Sequence, residues 1–562
     1  MKGGVKSQDL QAAPFNLDAA ALDWVLTTFS HLTTDQKLGQ ILLPLCRDLS
    51  PAAIDAVLAY HVGGIHRMPA REEAELTESA GHAQGNSAIP LLMSCDIEFS
   101  EKSSVKAGTP FPNQMAVAAT GDPLDAERMG AVAAREGGFL GFNVTWTPVA
   151  DLCLNFRSNV VNTRAFGDRP QQVSELVRSY HRGISANGFA TSIKHWPGDG
   201  LDDRDQHFAT THNSLELEDW RQSFGAIYAD AIANGVQVVM SGHITLKSYG
   251  RSLGDKALSP AHMPATLNAD LNLGLLRGEL GFNGVIVSDA TGMVGFEACG
   301  HRRDTVPACI ENGCDILLFP NDIAEDFGHL RAGLAAGKLS EGRVDDAVLR
   351  ILALKAALGL HETHGALPAP ERRAELLGSA EHQEWSRSIA SRAVTLVKDT
   401  QNLLPIEPAR HKRVLIAQFE ERRSPSGPLP QLKIGEMLAA AGFEVSYHKR
   451  GQAIDPAAHD IGLYLVAEEG VSAKENLGPQ WERLHGDFPL SMERLWAYMP
   501  TIYVSLGTPY LLYHMPECPT FVNAYAAVLP VQRAVVDALT GKTPFTGTSP
   551  VDAFCGLEEA HW

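Results

Sequence analysis

Apolar residues in the first part of the chain come in short unbroken runs, and the stretches between them repeat with helical spacing. The runs cover 41–45, 62–65, 89–94, 142–146, 189–193, 236–240, 284–287 and 315–319. A strand that faces water on one side alternates apolar and polar residues, whereas a run without alternation belongs to a parallel strand covered on both faces. Eight such runs, separated by helices, are what a closed (β/α)8 barrel requires. The segment 340–360 supports the helical half of the pattern. Its apolar positions recur at helical spacing and stop at Gly359, the residue type favoured just past a helix end. Thr34 to Lys37 reads as a helix start.

The polar residues that follow these runs are equally regular. Asp96 and Glu98 follow the third, Asp151 the fourth, Lys194 and His195 the fifth, His243 the sixth and Asp289 the seventh. Barrel enzymes build their sites at the C-terminal strand ends, so the pattern predicts a mouth lined with functional groups. For Asp151 taken alone, a helix N-cap is the simpler reading. Past 360 the pattern changes. A stretch rich in Pro, Ala, Glu and Arg reads as a linker over 361–392. A second series of apolar runs, 393–397, 414–417, 443–447, 461–466 and 501–506, then alternates with helical segments. The expected architecture is α/β: a (β/α)8 TIM-like catalytic barrel over 17–360 and a smaller α/β sandwich domain over 393–562. The second domain holds neither a GxGxxG turn nor a phosphate loop, so no nucleotide is expected there.

Composition narrows the class. The 562 residues are 44% apolar and 20% charged, as in a soluble globular protein with more than one core. With 47 basic against 66 acidic side chains the net charge is −19, which argues against nucleic acid or an anionic membrane as partner. No stretch reaches the roughly 18 apolar residues of a membrane helix, and no apolar run follows the lysines of the N-terminal segment, so a cytoplasmic protein is expected. The eight cysteines form no CxxC pair and read as reduced core thiols.

The densest chemistry lies where 189–193 ends in Lys194-His195 and opens into Trp196-Pro197-Gly198-Asp199-Gly200-Leu201-Asp202-Asp203-Arg204-Asp205-Gln206-His207. Three constellations are open. In the first, Asp289 attacks an anomeric carbon while His207, oriented by Asp205, protonates the leaving oxygen and later activates the acceptor. Histidine suits both steps because it titrates near neutrality. In the second, Lys194 forms a Schiff base, which needs a lowered amine pKa, whereas an acidic loop holds it up. In the third, His195, His207, His212 and His243 bind a divalent metal, although no HxH or HExxH spacing supports one. Neither a metal nor a cofactor is expected.

These residues resemble a known family. Lys194 to Gly200, followed by Asp205-Gln206-His207, is similar to the KHFPGxG…DxH segment of glycoside hydrolase family 3, in its β-N-acetylglucosaminidase branch. Gly281 to Asp289 with Met293 resembles that family's nucleophile segment, Asn162 to Asp168 its arginine motif, and Gly108-Thr109-Pro110-Phe111-Pro112 its GTxFP turn. Leu396 to Asp399 with Leu403 to Ile406, and Ser505 to Tyr510, are similar to its sandwich domain. The resemblance implies a retaining, exo-acting β-N-acetylglucosaminidase acting on small carbohydrate substrates, N-acetylglucosaminides. It implies Asp289 as nucleophile, His207 as acid/base and Asp205 as its partner, with Asp96, Arg164, Lys194 and His195 as contacts to sugar hydroxyls. In the branch without the Asp-x-His loop a Glu of the second domain is the acid/base; with the loop present, that domain need not supply one. Two places depart from the family. Asp96-Ile97-Glu98-Phe99-Ser100-Glu101 stands where its loop reads Asp-x-Glu-Gly-Gly-Arg and supplies an arginine contact, and Ala290 follows Asp289 where the branch often has Asp.

A histidine in place of a carboxylate bears on the second half of the reaction. An ionised Glu would repel an incoming phosphate by about 4 kcal/mol per charge pair at about 4 Å and an effective dielectric of about 20; an imidazole does not. Inorganic phosphate is therefore a candidate acceptor beside water, giving a sugar 1-phosphate. The alternatives are a retaining β-glucosidase of the same fold and a barrel that binds sugar without cleaving it. The joint presence of Asp289 and His207 favours an enzyme.

Overall fold

The computed structural model describes residues 5–99, 104–420, 431–470, 474 and 477–562, with the backbone of 423, 424, 427 and 428. Six parallel strands, β1 (Gly64–His66), β2 (Leu92–Cys95), β3 (Val144–Thr145), β4 (Ala190–Trp196), β5 (Val238–Ser241) and β6 (Val285–Ser288), are hydrogen-bonded in that order. The first and last apolar runs close the ring through single parallel bridges: Leu42 with Leu317, Leu45 with His66, and Val287 with Ile316. All eight runs therefore take part in the barrel wall. The closing pair is sparse for a local reason. Pro44 has no N–H to give a ladder, and at the start of the last run the Asp315 carboxylate takes the Ile286 N–H at 2.7 Å, where a ladder carbonyl would stand. Arg277 at 2.6 Å and Arg343 compensate that buried charge.

The helix Glu341–Ala357 starts at Ser340 and ends before Gly359, which adopts φ 69°. It carries one anomaly on its buried face. Lys355 is fully buried, and its ammonium donates to Gln40 Oε1 at 2.7 Å, while Gln40 Nε2 donates to the His61 carbonyl at 2.7 Å. Burial pushes its pKa down to about 7. Gln40 immediately precedes the first strand-like run, so this amine stands at the N-terminal end of the barrel, the end associated with stability and not with chemistry.

Over 361–392, where composition reads as a linker, the chain carries the helix Ala380–Ala393. Ile389 joins the barrel core and Ala390 the core of the second domain. At its start, the Gly378 N–H and His382 Nδ1 reach the buried Glu136 carboxylate at 3.1 and 2.9 Å, and the same carboxylate binds the N–H and hydroxyl of Thr109. The charged outer positions Glu381, Glu384, Arg387 and Arg392 hide the helix in a composition-based reading.

The second domain has one six-stranded sheet built from β7 (Thr395–Asp399), β8 (Arg413–Glu420), β9 (Glu444–Tyr447), β10 (Ile461–Ala467), β11 (Thr501–Ser505) and β12 (Thr520–Asn523). Its order is β9-β8-β10-β11-β12-β7, parallel except for β7, which runs antiparallel to β12. Val414, Leu463, Ile502 and Val522 pack on one face beneath the helices Ile434–Ala440 and Leu529–Leu539, while Leu415, Tyr464, Tyr503 and Phe521 pack on the other. Five of these strands match the apolar runs. The sixth, β12, is too short for its period to be read.

Lys355 generates a prediction. Folding lowers its pKa from the ordinary value of about 10.4 to about 7, so between these values the unfolded chain binds the extra proton and stability rises with pH. Lys355→Met removes the penalty and leaves the Gln40 carbonyl unpaired, a cost of about 1–3 kcal/mol. The variant is expected to melt above the parent near neutral pH, by roughly 2 kcal/mol net, with the advantage shrinking toward about pH 10; thermal unfolding across that range measures it.

Candidate active site

The strand β4 outruns its neighbours and delivers Lys194 and His195 to the barrel mouth. Lys194 Nζ donates to Asp96 Oδ1 at 2.8 Å and to Glu98 Oε1 at 2.6 Å. Arg164 grips the same Glu98 with two prongs, Nε to Oε2 at 2.8 Å and Nη2 to Oε1 at 2.9 Å, and gives Nη1 to the Val160 carbonyl at 2.8 Å. Burial alone would raise the Glu98 pKa, but Arg164 and Lys194 overcome it and hold the carboxyl well below its usual range. The reverse holds for Lys194: burial would lower its pKa, and Asp96 and Glu98 raise it. A lysine fixed as a cation is not a Schiff-base nucleophile near neutrality, which sets the second constellation aside.

Asp151 caps no helix. Completely buried, it accepts the His195 N–H at 3.0 Å and the Asp199 N–H at 2.8 Å on Oδ1, and His195 Nδ1 at 2.6 Å on Oδ2. That fixes the imidazole of His195, leaving Nε2 for other partners. Asp199 lies buried beside it with Oδ1 on the Gly200 N–H. Burial, and then the charge of Asp151, push its pKa well up. The turn that follows needs its glycines. Gly198 adopts φ 120° and a Cβ there would stand 2.1 Å from Phe224 Cδ1; Gly200 adopts φ 103°, with Leu152 O only 1.9 Å from where its Cβ would be. The stretch 194–200 is a locked piece of the barrel mouth, not a solvated turn.

Two strands on from β4, β6 leads into Asp289, whose N–H donates to the Ser241 carbonyl at 2.8 Å and whose Oδ1 accepts the Ala290 N–H at 2.7 Å. Burial would raise its pKa. The nearby His195, His243 and His207 outweigh burial and hold the carboxyl below its ordinary range. His207 is tied to Asp205 twice, through its own N–H at 2.8 Å and through Nδ1 at 2.6 Å, both to Oδ1. The loop sits on the segment that follows Asp289: Val294 N–H donates to the His207 carbonyl at 3.0 Å and Gly295 N–H to that of Gln206 at 3.2 Å. With Nδ1 engaged, Nε2 of His207 is the nitrogen left for a substrate, on a side chain that is 38% exposed.

All seven residues expected at the site thus stand in two linked groups. Asp96, Arg164, Lys194 and His195 form one with Glu98 and Asp151; Asp205, His207 and Asp289 form the other. Glu98, Asp151 and His243 were not among the seven: in the sequence they stood as polar strand ends, Asp151 also as a helix cap and His243 also as one of four candidate metal ligands. His243 ties the loop of the second group to the residue after Asp289, with Nε2 at 3.0 Å from the Ala290 carbonyl and its N–H on Gln206 Oε1 at 2.9 Å. His212 instead bonds Thr245, at 2.9 Å to Oγ1, and among the described residues no three metal-binding side chains converge. Ser100 and Glu101, in the loop that departs from the family pattern, lie outside the described residues.

The second domain closes over this mouth. Asn113 Nδ2 reaches Glu469 at 2.8 Å, Asn162 Nδ2 reaches Thr508 Oγ1 at 3.1 Å, and Asn159 Nδ2 reaches the Lys474 carbonyl at 3.0 Å. Between the domains, Asp203 of the loop, Phe156, Arg157, Tyr510 and Tyr513 line an opening of about 270 Å³.

Comparison with known proteins places the chain in a family. Residues 33–354 match the family model described as the glycosyl hydrolase family 3 N terminal domain. The beta-N-acetylglucosaminidase/beta-glucosidase of Cellulomonas fimi is 37% identical over 568 residues, which cover 98% of this chain and 100% of the relative. Among solved structures, beta-glucoside phosphorylase BglX superposes with a TM-score of 0.92 at 32% identity, covering 99% of this chain and 100% of that one. The glycoside hydrolase family 3 beta-N-acetylglucosaminidase from Paenibacillus sp. str. FPU-7 gives 0.81 at 25% identity over 94% and 100%. The chain belongs to glycosyl hydrolase family 3.

Proposed function

We propose that the protein is a retaining, exo-acting β-N-acetylglucosaminidase in which Asp289 is the nucleophile and His207, oriented by Asp205, is the acid/base. The observation that carries this reading is the pairing of an ionised, buried carboxylate with an imidazole whose Nδ1 is already taken. Asp289 attacks the anomeric carbon while His207 gives a proton from Nε2 to the leaving oxygen. Water then attacks the glycosyl-aspartate, giving its proton back to His207 as the ester to Asp289 breaks. Asp205, on Nδ1, supports the imidazolium that donates in the first step and re-forms in the second, and keeps Nε2 as the basic nitrogen of the neutral ring between them. The Asp96, Lys194, Glu98 and Arg164 network, with His195, would bind the hydroxyls of the terminal sugar. Preference for a 2-acetamido sugar is supported by the names of the C. fimi and Paenibacillus proteins.

Phosphate as an acceptor is supported by two observations. The acid/base is an imidazole, with its carboxylate partner on the far side of the ring, so a phosphate at Nε2 meets no adjacent anion on that residue. The phosphorylase BglX is also among the most similar folds. That neighbour equally supports a second reading, a β-glucoside substrate.

Removing the nucleophile with Asp289→Ala is expected to lower kcat/KM for an activated N-acetylglucosaminide by at least about a thousandfold. His207→Gln is expected to cost about 10²–10⁴-fold on an unactivated glycoside and much less on one with a good leaving group. Steady-state rates on the two substrates check both. Turnover of an N-acetylglucosaminide and a glucoside, each with and without inorganic phosphate, is expected to show faster N-acetylglucosaminide cleavage and a sugar 1-phosphate product. A glucoside preference would select the second reading, and absence of phosphate stimulation would leave water as the acceptor.

A further inference from the structure

The helix Arg302–Glu311 begins with an arginine, at the end of a helix where the macrodipole disfavours a cation. What holds the guanidinium there lies outside the helix. All five of its N–H donors have partners. Nε gives to Asp326 Oδ1 at 2.9 Å, Nη1 to the Thr291 carbonyl at 3.0 Å and Glu297 Oε1 at 2.5 Å, and Nη2 to Thr291 Oγ1 at 3.1 Å and Asp326 Oδ2 at 2.5 Å. The side chain is only 14% exposed. Asp326, fully buried on the helix Ile323–Ala335, is the fixed end of this arrangement. Thr291 and Glu297 are what the guanidinium holds against it.

Those two residues bracket the segment that runs from Asp289 to the support of the His207 loop. Thr291 follows Asp289 by two residues, its N–H on the Leu318 carbonyl at 2.7 Å and its Oγ1 on that of Phe319 at 2.9 Å. Glu297 ends the single helical turn Val294–Glu297, whose first two N–H groups hold the His207 and Gln206 carbonyls at 3.0 and 3.2 Å. The fit between turn and loop is close: a Cβ at Gly295 would stand 2.6 Å from the Gln206 carbonyl oxygen. We infer that Arg302 is a positioning residue, which sets where His207 stands relative to Asp289 by fixing Thr291 and Glu297 against Asp326, and which does not itself touch the substrate. Asp289 keeps a separate hold on the barrel through the Ser241 carbonyl. Loosening the clamp therefore falls mainly on the imidazole, and a misplacement of about 1 Å is enough to slow a positioned transfer severely. This inference rests on the assignment of Asp289 and His207 made above.

Arg302→Lys keeps the charge beside Asp326 and loses the fork. The full-length protein is assayed on the β-1,4-linked disaccharide of N-acetylglucosamine, whose departing oxygen needs a proton, and on β-N-acetylglucosaminyl fluoride, whose leaving group does not. The substitution is expected to lower kcat/KM for the disaccharide about ten- to a hundredfold and to leave the fluoride within about threefold. In a His207→Gln background it is expected to change disaccharide turnover by less than about twofold, because the position it sets no longer matters. Glu297→Ala, which frees the helical turn and leaves Arg302 on Asp326, should show the same pattern with a smaller loss, and it decides the matter if Arg302→Lys does not fold. Equal losses on both substrates, or an undiminished loss in the His207→Gln background, would mean that Arg302 only stabilises the fold, and no loss on either substrate would mean that it is idle; each overturns the inference. A parent inactive on both substrates, or disaccharide cleavage that His207→Gln leaves unchanged, would instead overturn the assignment beneath it.

Discussion

A carboxylate taken out of water must be compensated, and at this barrel mouth a single one, Asp151, organises the compensation of the others. Its three N–H partners fix the backbone at His195 and Asp199 and orient the His195 ring. His195 in turn is the first of the three imidazoles that keep Asp289 ionised against its burial. Asp199 meets the same low-dielectric surroundings, and its burial and then the charge of Asp151 push its pKa well up. The two neighbouring aspartates differ in their bonding: Asp151 accepts hydrogen bonds on both oxygens, and Asp199 accepts the Gly200 N–H on Oδ1.

Charge at the two ends of the barrel does different work. At the N-terminal end Lys355 and the Asp315 cluster stand behind the strand starts, and their consequence is stability. At the C-terminal end the paired charges of Lys194, Glu98 and Arg164 hold one another in fixed positions, and under the proposed function these ordered groups receive the sugar hydroxyls. The shared helix Ala380–Ala393 and the asparagines 113, 159 and 162 fix the second domain against that end, so loops from both domains border the mouth.

Much of this was legible in the chain. Unbroken apolar runs located all eight wall segments, because a strand buried on both faces cannot hide its composition. Their polar ends pointed to the mouth, and the Asp-x-His spacing together with the family resemblance singled out Asp205, His207 and Asp289. What was not legible depends on distant pairing. Asp151 looks like a cap until the fold puts His195 beside it, and Glu98 has no visible task until Lys194 and Arg164 converge on it. The helix Ala380–Ala393 was missed because its charged outer face dominates its composition, although its apolar residues touch two cores.

The central claim is that Asp289 becomes covalently bound to the sugar. The direct measurement is incubation with a slow fluorinated N-acetylglucosaminyl fluoride, followed by proteolysis and mass mapping of the labelled peptide. The expected result is one glycosyl adduct on the peptide containing Asp289, released on adding acceptor and absent from Asp289→Ala. An adduct on another residue, or continued turnover by Asp289→Ala, would contradict it.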